Sequence, residues 1–270
     1  MQYDPIKKSL GKVFNSRPLL RKLFYRLLDL LLLRAWYIKR EIKTLFSKDR
    51  NAEIKALDAG SGYGQYDFFL SSYLKNAEIL GVDVKEEQIE DCNAFFQKIG
   101  RSGRVKFQYA DLTEFVREEE YDLVLSVDVM EHILEDEKVF SNLCKSLKKG
   151  GVLLISTPSD QGGSDVHDEG EHSFIDEHVR DGYNISDIER KLKNAGFSSV
   201  EAKYSYGVPG SLAWKISMKW PITVLNVSKL FFILLIPYYI TFYPWAFVLD
   251  FIDLNTRHKK GTGLIVKAVK

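Results

Sequence analysis

From residue 54 to residue 157 short apolar runs alternate with stretches of helical period, and no other feature limits the fold as tightly. Segments 54–58, 79–83, 105–109, 121–127 and 152–157 read as strands, with helices expected over 66–74, 86–99 and 136–147. Strands separated by helices call for a parallel sheet with right-handed crossovers. Lys148-Lys149-Gly150-Gly151 reads as a stop between the last of these helices and its strand. After a polar loop at 158–183, Ser186-Asp187-Ile188-Glu189 is a capping-box pattern opening a helix that ends at Ala195-Gly196. Strands at 199–206 and 263–269 complete the set. The expected division is a basic helical segment at 1–50, a core at 51–207, an apolar insert at 208–256 and a final core strand within 257–270.

The 38 basic and 37 acidic residues nearly cancel, which argues against a dedicated nucleic-acid binder. The charge is uneven, however: residues 1–50 carry 13 Lys/Arg against 4 Asp/Glu. Cys92 and Cys144, the only cysteines, fall in expected helices rather than in a disulfide framework, so a reducing, cytoplasmic setting is expected. The apolar stretch 27–33 is short, broken by Asp29 and deep in the chain, so it does not read as a cleavable signal.

The first strand runs into Leu57-Asp58-Ala59-Gly60-Ser61-Gly62-Tyr63-Gly64. Glycines at such a turn let the backbone approach a ligand closely at a helix N-terminus. Dinucleotide enzymes want a third glycine three residues after the second; Gln65 stands there, which counts against NAD(P). Asp83, followed by Val84, closes the second strand, where a carboxylate can accept from both hydroxyls of a ribose. Asp111-Leu112 follows the third strand, where a carboxylate and an apolar side chain suit an adenine edge and ring. Each aspartate alone would pass for a turn residue. Three such features after three successive strands point to a nucleoside ligand.

LDAGSGYG, GVD, ADL, YDLVLSVDVMEH and KKGGVLLISTP, in that order, resemble the class I S-adenosylmethionine-dependent methyltransferases, over about 54–206 and the last strand. The resemblance implies a doubly wound, Rossmann-like sheet of seven strands, mostly parallel, with the last antiparallel. It places Asp58, Gly60, Gly62 and Gly64 around the methionine moiety of S-adenosyl-L-methionine, Asp83 and Val84 at the ribose, Asp111 and Leu112 at the adenine, and Ser126 at the end of the fourth strand nearby.

Methyl transfer from a sulfonium needs an aligned nucleophile, and an oxygen nucleophile usually needs a base. Asp128-Val129-Met130-Glu131-His132 resembles the ubiquinone-pathway O-methyltransferases, in which acidic residues and a histidine of this stretch are linked to a divalent metal. Asp128 departs from that pattern, and the same stretch occurs in relatives without metal, so no metal is assigned. The candidate bases are His132 and, in the loop DVHDEGEHSFIDEHVRDG, His167, His172 and His178, with His178 preferred. The aromatic Pro-Pro turn of nucleic-acid amino-methylating enzymes is absent after the fourth strand. The expected reaction is O-methylation of a lipophilic small molecule. C- or N-methylation of a lipid-like acceptor, and a binding module without turnover, are the alternatives.

LFFILLIPYYITFYPWAFVL, residues 230–249, runs twenty residues without a charge, about what one bilayer span needs. If 199–206 and 263–269 are neighbouring strands, the chain must leave and return on one side, which excludes a single span. The lysines and prolines of 208–256 leave too little apolar length for two, so a shallow helical hairpin broken near Pro237 is expected. Segment 18–46 reads as one basic, amphipathic helix. All four tryptophans, Trp36, Trp214, Trp220 and Trp245, lie in these two segments. The expected arrangement is peripheral or monotopic docking of both segments on an anionic membrane surface; burial of the two in each other or in a homodimer is the alternative.

Overall fold

The computed structural model describes residues 17–162, 179–227 and 229–270. The strands are β1 (Lys55–Ala59), β2 (Glu78–Asp83), β3 (Val105–Tyr109), β4 (Tyr121–Val127), β5 (Leu147–Pro158), β6 (Ser199–Ser205) and β7 (Gly263–Val269). They form one sheet in the order β3-β2-β1-β4-β5-β7-β6, with β7 antiparallel to both neighbours and the other adjacent pairs parallel. The expected seven-stranded α/β sheet is the observed one.

Side chains alternate across each strand, so the sheet feeds two cores. Ala56, Leu123, Leu125 and Val127 face α1 (Pro18–Leu31), α2 (Leu33–Leu45), α3 (Gln65–Tyr73) and α4 (Glu86–Lys98). Leu57, Val82, Val124 and Ile155 face α5 (Asp136–Ser146) and α6 (Ile185–Asn194).

Three local expectations are corrected. Segment 18–46 is two helices, because Leu32 is extended (φ −109°, ψ 102°) and buried. The Trp36 indole N–H donates to the Asp29 carbonyl (2.6 Å) across this break. KKGG is not a stop before the strand. Leu147 already pairs with Tyr121, and the chain bulges through 148–151 before Val152 pairs with Leu123. The α6 cap is Asn184 rather than Ser186: its side chain accepts from the Ser186 N–H (3.0 Å) and hydroxyl (2.6 Å).

The insert comprises α7 (Val208–Trp214), a π-helical turn at Lys215–Lys219, α8 (Trp220–Val227), a 3-10 turn at Lys229–Leu234 and α9 (Leu235–Leu254). It returns beside its departure point, since Ser205 pairs with Gly263. The hairpin is present, but the chain reverses before Leu235, not at Pro237. Pro237 lies in the first turn of α9, where a missing N–H is tolerated. Asp253, fully buried, holds the root: it accepts from the Tyr37 hydroxyl (2.8 Å) and the Gly210 N–H (3.0 Å), and its Oδ2 lies 3.1 Å from His258 Nε2. Farther out, the Tyr238 and Tyr239 hydroxyls donate to the Ile216 and Ser217 carbonyls (2.8 Å each) and tie the two arms together.

Candidate active site

The glycine loop lies over the carboxyl ends of β1 and β2. Gly60 and Ser61 N–H groups donate to the Val82 carbonyl (2.9 Å each), and the Gly62 N–H donates to Asp83 Oδ2 (2.9 Å). Asp83 Oδ1 accepts the Lys85 N–H (3.0 Å), so one carboxylate fixes both the loop and the exit of β2. Gly60, Gly62 and Gly64 all have positive φ (90°, 50° and 72°), the backbone region that favours glycine. They differ in what a side chain would meet. A Cβ on Gly60 would lie 2.3 Å from Val129 and one on Gly64 3.2 Å from Phe107, whereas one on Gly62 meets nothing closer than 3.9 Å. Gly62 therefore borders the open side of the loop, while Gly60 and Gly64 are held by packing.

Beneath the loop, Asp58 and Asp67 are buried against each other. Burial, with Asp83 nearby, pushes Asp58 up to about 7. Burial and the neighbouring Asp58 push Asp67 well above the usual carboxylate range. Burial therefore favours the protonated form of both carboxyls. Ser61 and Ser126, also buried, have hydroxyl oxygens without a hydrogen-bond partner. Val84 is exposed beside Asp83. Asp111 accepts the Thr113 N–H and hydroxyl on one oxygen (2.8 Å each) and lines an open cleft of about 360 Å³ with Tyr109, Ala110 and Phe115. Leu112 packs into the core with Leu57 and Val82.

A second polar group stands past β4. Asp128, with φ +53°, pairs with the Arg34 guanidinium (2.7 Å), and the Arg34 backbone N–H donates to the Tyr206 hydroxyl (3.0 Å). Glu131 is buried and accepts from the Thr157 hydroxyl (3.2 Å); burial, then Asp128, pushes it up to about 8. Tyr66 and Tyr206 face the same charges, and burial raises both phenols. Sequence reasoning missed Arg34, Tyr66 and Tyr206. In the sequence Arg34 is one cation among several in a basic segment, and nothing local brings it to Asp128.

His132 is half-buried at the end of the short 3-10 turn Met130–His132. His167, His172 and His178 lie outside the described residues. Among the described residues no group of three His, Cys, Asp or Glu is placed to hold a metal ion.

The glycine loop and the strand ends thus form a site at the carboxyl ends of a doubly wound sheet, where such folds bind ligands, opening toward a cluster of acids and phenols. Residues 50–198 match the family described as "Methyltransferase domain". Phosphoethanolamine N-methyltransferase 1 of Triticum aestivum is 31% identical over 163 residues, covering 57% of this chain and 30% of the relative. The ubiquinone biosynthesis O-methyltransferase of Rickettsia prowazekii (strain Madrid E) is 26% identical over 125 residues, 46% of this chain and 47% of the relative. The chain thus spans less than half the length of these curated relatives. Phosphoethanolamine N-methyltransferase 2 of Haemonchus contortus, solved with S-adenosyl-L-methionine, shares the fold at a TM-score of 0.56 and 19% identity, covering 86% of this chain and 52% of that one.

The chain belongs to the methyltransferase domain family. Its loop fits S-adenosylmethionine as methyl donor: an open glycine edge at Gly62, unpartnered buried hydroxyls at Ser61 and Ser126, and carboxyls suited to a ligand bearing sulfonium and ammonium charges.

Proposed function

We propose that this protein is an S-adenosylmethionine-dependent methyltransferase acting on the hydroxyl of a lipophilic small molecule, such as a phenol or quinone precursor, at an anionic membrane surface. The donor brings an activated methyl group. The chain's own residues then hold and align. Asp83 and the Gly62 edge seat the nucleoside; Arg34, Asp128, Tyr66 and Tyr206 frame the acceptor; Glu131, its pKa raised toward neutrality, takes the hydroxyl proton.

One observation carries the lipophilic part: the elements that wall the acceptor end are also those with bare apolar surface. Arg34 reaches Asp128 from α2, which packs on α9 through Trp36 and Phe247 (ring centroids 5.0 Å apart). On its outer side α9 exposes Ile240 (73%), Trp245 (69%) and Phe251 (58%). Phe232–Leu254 has a mean hydropathy of 1.7 with only 6% of its most apolar window buried, which is unlike a core helix. A hairpin returning to its own root would lie in one leaflet, with Lys215, Arg257, Lys259 and Lys260 near the headgroups.

A second reading, N-methylation of an amine, is favoured by the acids around the acceptor end. Asp128, Glu131 and Asp250 outnumber Arg34 there, and burial raises the last two carboxyls to about 8, which suits them to taking a proton from an amine.

Incubating the protein with labelled donor and a total lipid extract tests both readings. A labelled ether in the organic phase supports the first reading and a labelled amine the second. Label confined to the aqueous phase overturns the lipophilic acceptor. Vesicle flotation tests the membrane surface: binding should strengthen with anionic lipid and fall when Phe232 and Trp245 are made polar.

A further inference from the structure

Helix α1 has two working faces. On the inner face Arg21 and Tyr25 are 2% and 1% exposed, and both reach the middle of the glycine loop. Arg21 Nη2 donates to the Tyr63 carbonyl (2.9 Å), and the Tyr25 hydroxyl donates to the same carbonyl (2.5 Å). Arg21 Nε donates to the Tyr25 oxygen (2.8 Å), while its other nitrogens reach the Asp91 carbonyl (3.1 Å) and Cys92 Sγ (3.0 Å). From the next residue pair along, Gln65 Nε2 donates to Asp29 Oδ1 (2.7 Å). Tyr63 stands between Gly62 and Gly64, so α1 sets the position of the loop edge that faces the donor.

The Arg21 guanidinium lies against the Phe95 ring (4.9 Å to the centroid) and its hydrogen-bond acceptors are two carbonyls, a phenol and a thiol. Burial is costly for a cation, but these bonds and the attraction of nearby Asp91 keep Arg21 charged in this arrangement. It persists only while α1 is seated; if α1 lifts, Arg21 gains water and the loop loses two hydrogen bonds.

The outer face carries Leu19 (77% exposed), Leu23 (47%), Leu27 (39%) and Leu30 (40%), at helical spacing in one stripe. Arg17 and Arg26 are exposed beside it. The one acid of the helix, Asp29, is already paired with Lys39. The stripe continues into the bare surface of the insert, because the Tyr243 hydroxyl donates to the Leu30 carbonyl (2.8 Å). Leucines flanked by cations and continuous with an apolar hairpin match an anionic bilayer better than a second protein surface.

We propose that the leucine face of α1 is a contact surface for an anionic bilayer, and that this contact and donor binding strengthen each other through Arg21 and Tyr25. The proposal rests on the membrane reading above. A seated α1 presents its leucines already ordered, so a bilayer binds the seated form better than a lifted one. The seated form is also the one with the loop held. Linkage then requires the two effects to be equal in size.

The experiment measures S-adenosylhomocysteine affinity of the full chain by calorimetry, with and without phosphatidylglycerol–phosphatidylcholine vesicles. Flotation is measured with and without the same ligand. Affinity should rise at least threefold on anionic vesicles, and vesicle partitioning should rise by the same factor with ligand. The double variant Leu23→Gln/Leu27→Gln should keep its affinity in buffer and lose the enhancement. Tyr25→Phe, which keeps the ring and removes one hydrogen bond, should bind the ligand several-fold more weakly in buffer; Arg21→Met should do so more strongly, and Arg21→Lys should recover part of the loss. Flotation with an affinity indifferent to vesicles would overturn the coupling and leave the membrane reading standing. Enhancement that survives in the leucine variant would overturn the assigned surface. A folded protein that ignores vesicles would overturn both.

Discussion

Arg34 and Asp128 meet at 2.7 Å across 94 positions of sequence, joining the second N-terminal helix to the turn after β4. Both side chains are about a third exposed (30% and 32%), so the pair contributes at most about 1 kcal/mol to stability. Arg34→Ala and Asp128→Asn should therefore leave the melting temperature within a few degrees of the parent. Turnover should fall at least tenfold, while donor affinity stays within twofold. A loss of donor affinity equal to the loss of turnover would remove the pair from the acceptor end.

Donor binding depends on Asp83 and on the open edge at Gly62. Asp83→Ala removes the proposed ribose acceptor and frees the Gly62 and Lys85 N–H groups. A hydrogen bond to a charged group contributes roughly 1.5–3 kcal/mol, so calorimetry should show affinity weaker by about tenfold or more. Gly62→Val should do the same by filling the edge. Unchanged affinity in folded Asp83→Ala protein would sink the assignment.

The Asp58–Asp67 pair makes stability depend on pH with an uncommon sign. In the unfolded chain both carboxyls titrate near ~4. In the fold Asp58 stays protonated to about 7 and Asp67 is raised well above its usual range. Between those limits the native state binds more protons than the unfolded one, so stability is fully present below about pH 4 and is lost as pH rises toward neutrality. Asp67→Asn, which keeps the shape and removes one charge, should flatten that decline. Thermal melts from pH 5 to pH 8 check this; a parallel decline in the variant would place the linkage elsewhere.

Burial and Asp128 push Glu131 up to about 8, near the range where a general base works best. Turnover should rise with pH up to that value. Glu131→Gln should lower turnover by roughly 10² and erase the rise, with donor affinity nearly intact. An unaltered profile in that variant passes the role to His132 or His178, and alanine at each then separates them.

The hairpin root should be sensitive to one methyl group. A Cβ at Gly210 would lie 2.6 Å from Leu33 and 2.8 Å from Asp253. Gly210→Ala should destabilise by about 1–3 kcal/mol and loosen the insert first. Limited proteolysis within 208–256 ahead of the core is the expected readout, and cleavage in the parent order would argue against a shared root.

The core was legible because its signals are local. Strand alternation, the spacing of Gly60, Gly62 and Gly64, and the aspartates at strand ends are set by periods of a few residues, and the sheet forms where they place it. The errors were also local contests. The reading of KKGG as a stop between helix and strand lost to the pairing of Leu147 with Tyr121, and the capping box at Ser186 lost to Asn184 two residues earlier. The apolar run could be recognised, but not its bend, because Pro237 is compatible with the first turn of a helix as well as with a break.

The sequence by itself determined the parallel sheet, the glycine loop and the return of the insert to its starting point, since each follows from periodicity and from the pairing of neighbouring strands. Only the tertiary structure decided that Arg34 faces Asp128, that Arg21 and Tyr25 grip the Tyr63 carbonyl, and that Asp58 and Asp67 are buried together with raised pKa values. Those relationships join helices to loops far along the chain. A guanidinium reads the same in sequence whether it ends in water or in a core. Its environment, and therefore its work, is fixed by the extended Leu32 that turns α2 away from α1 and by what each helix buries.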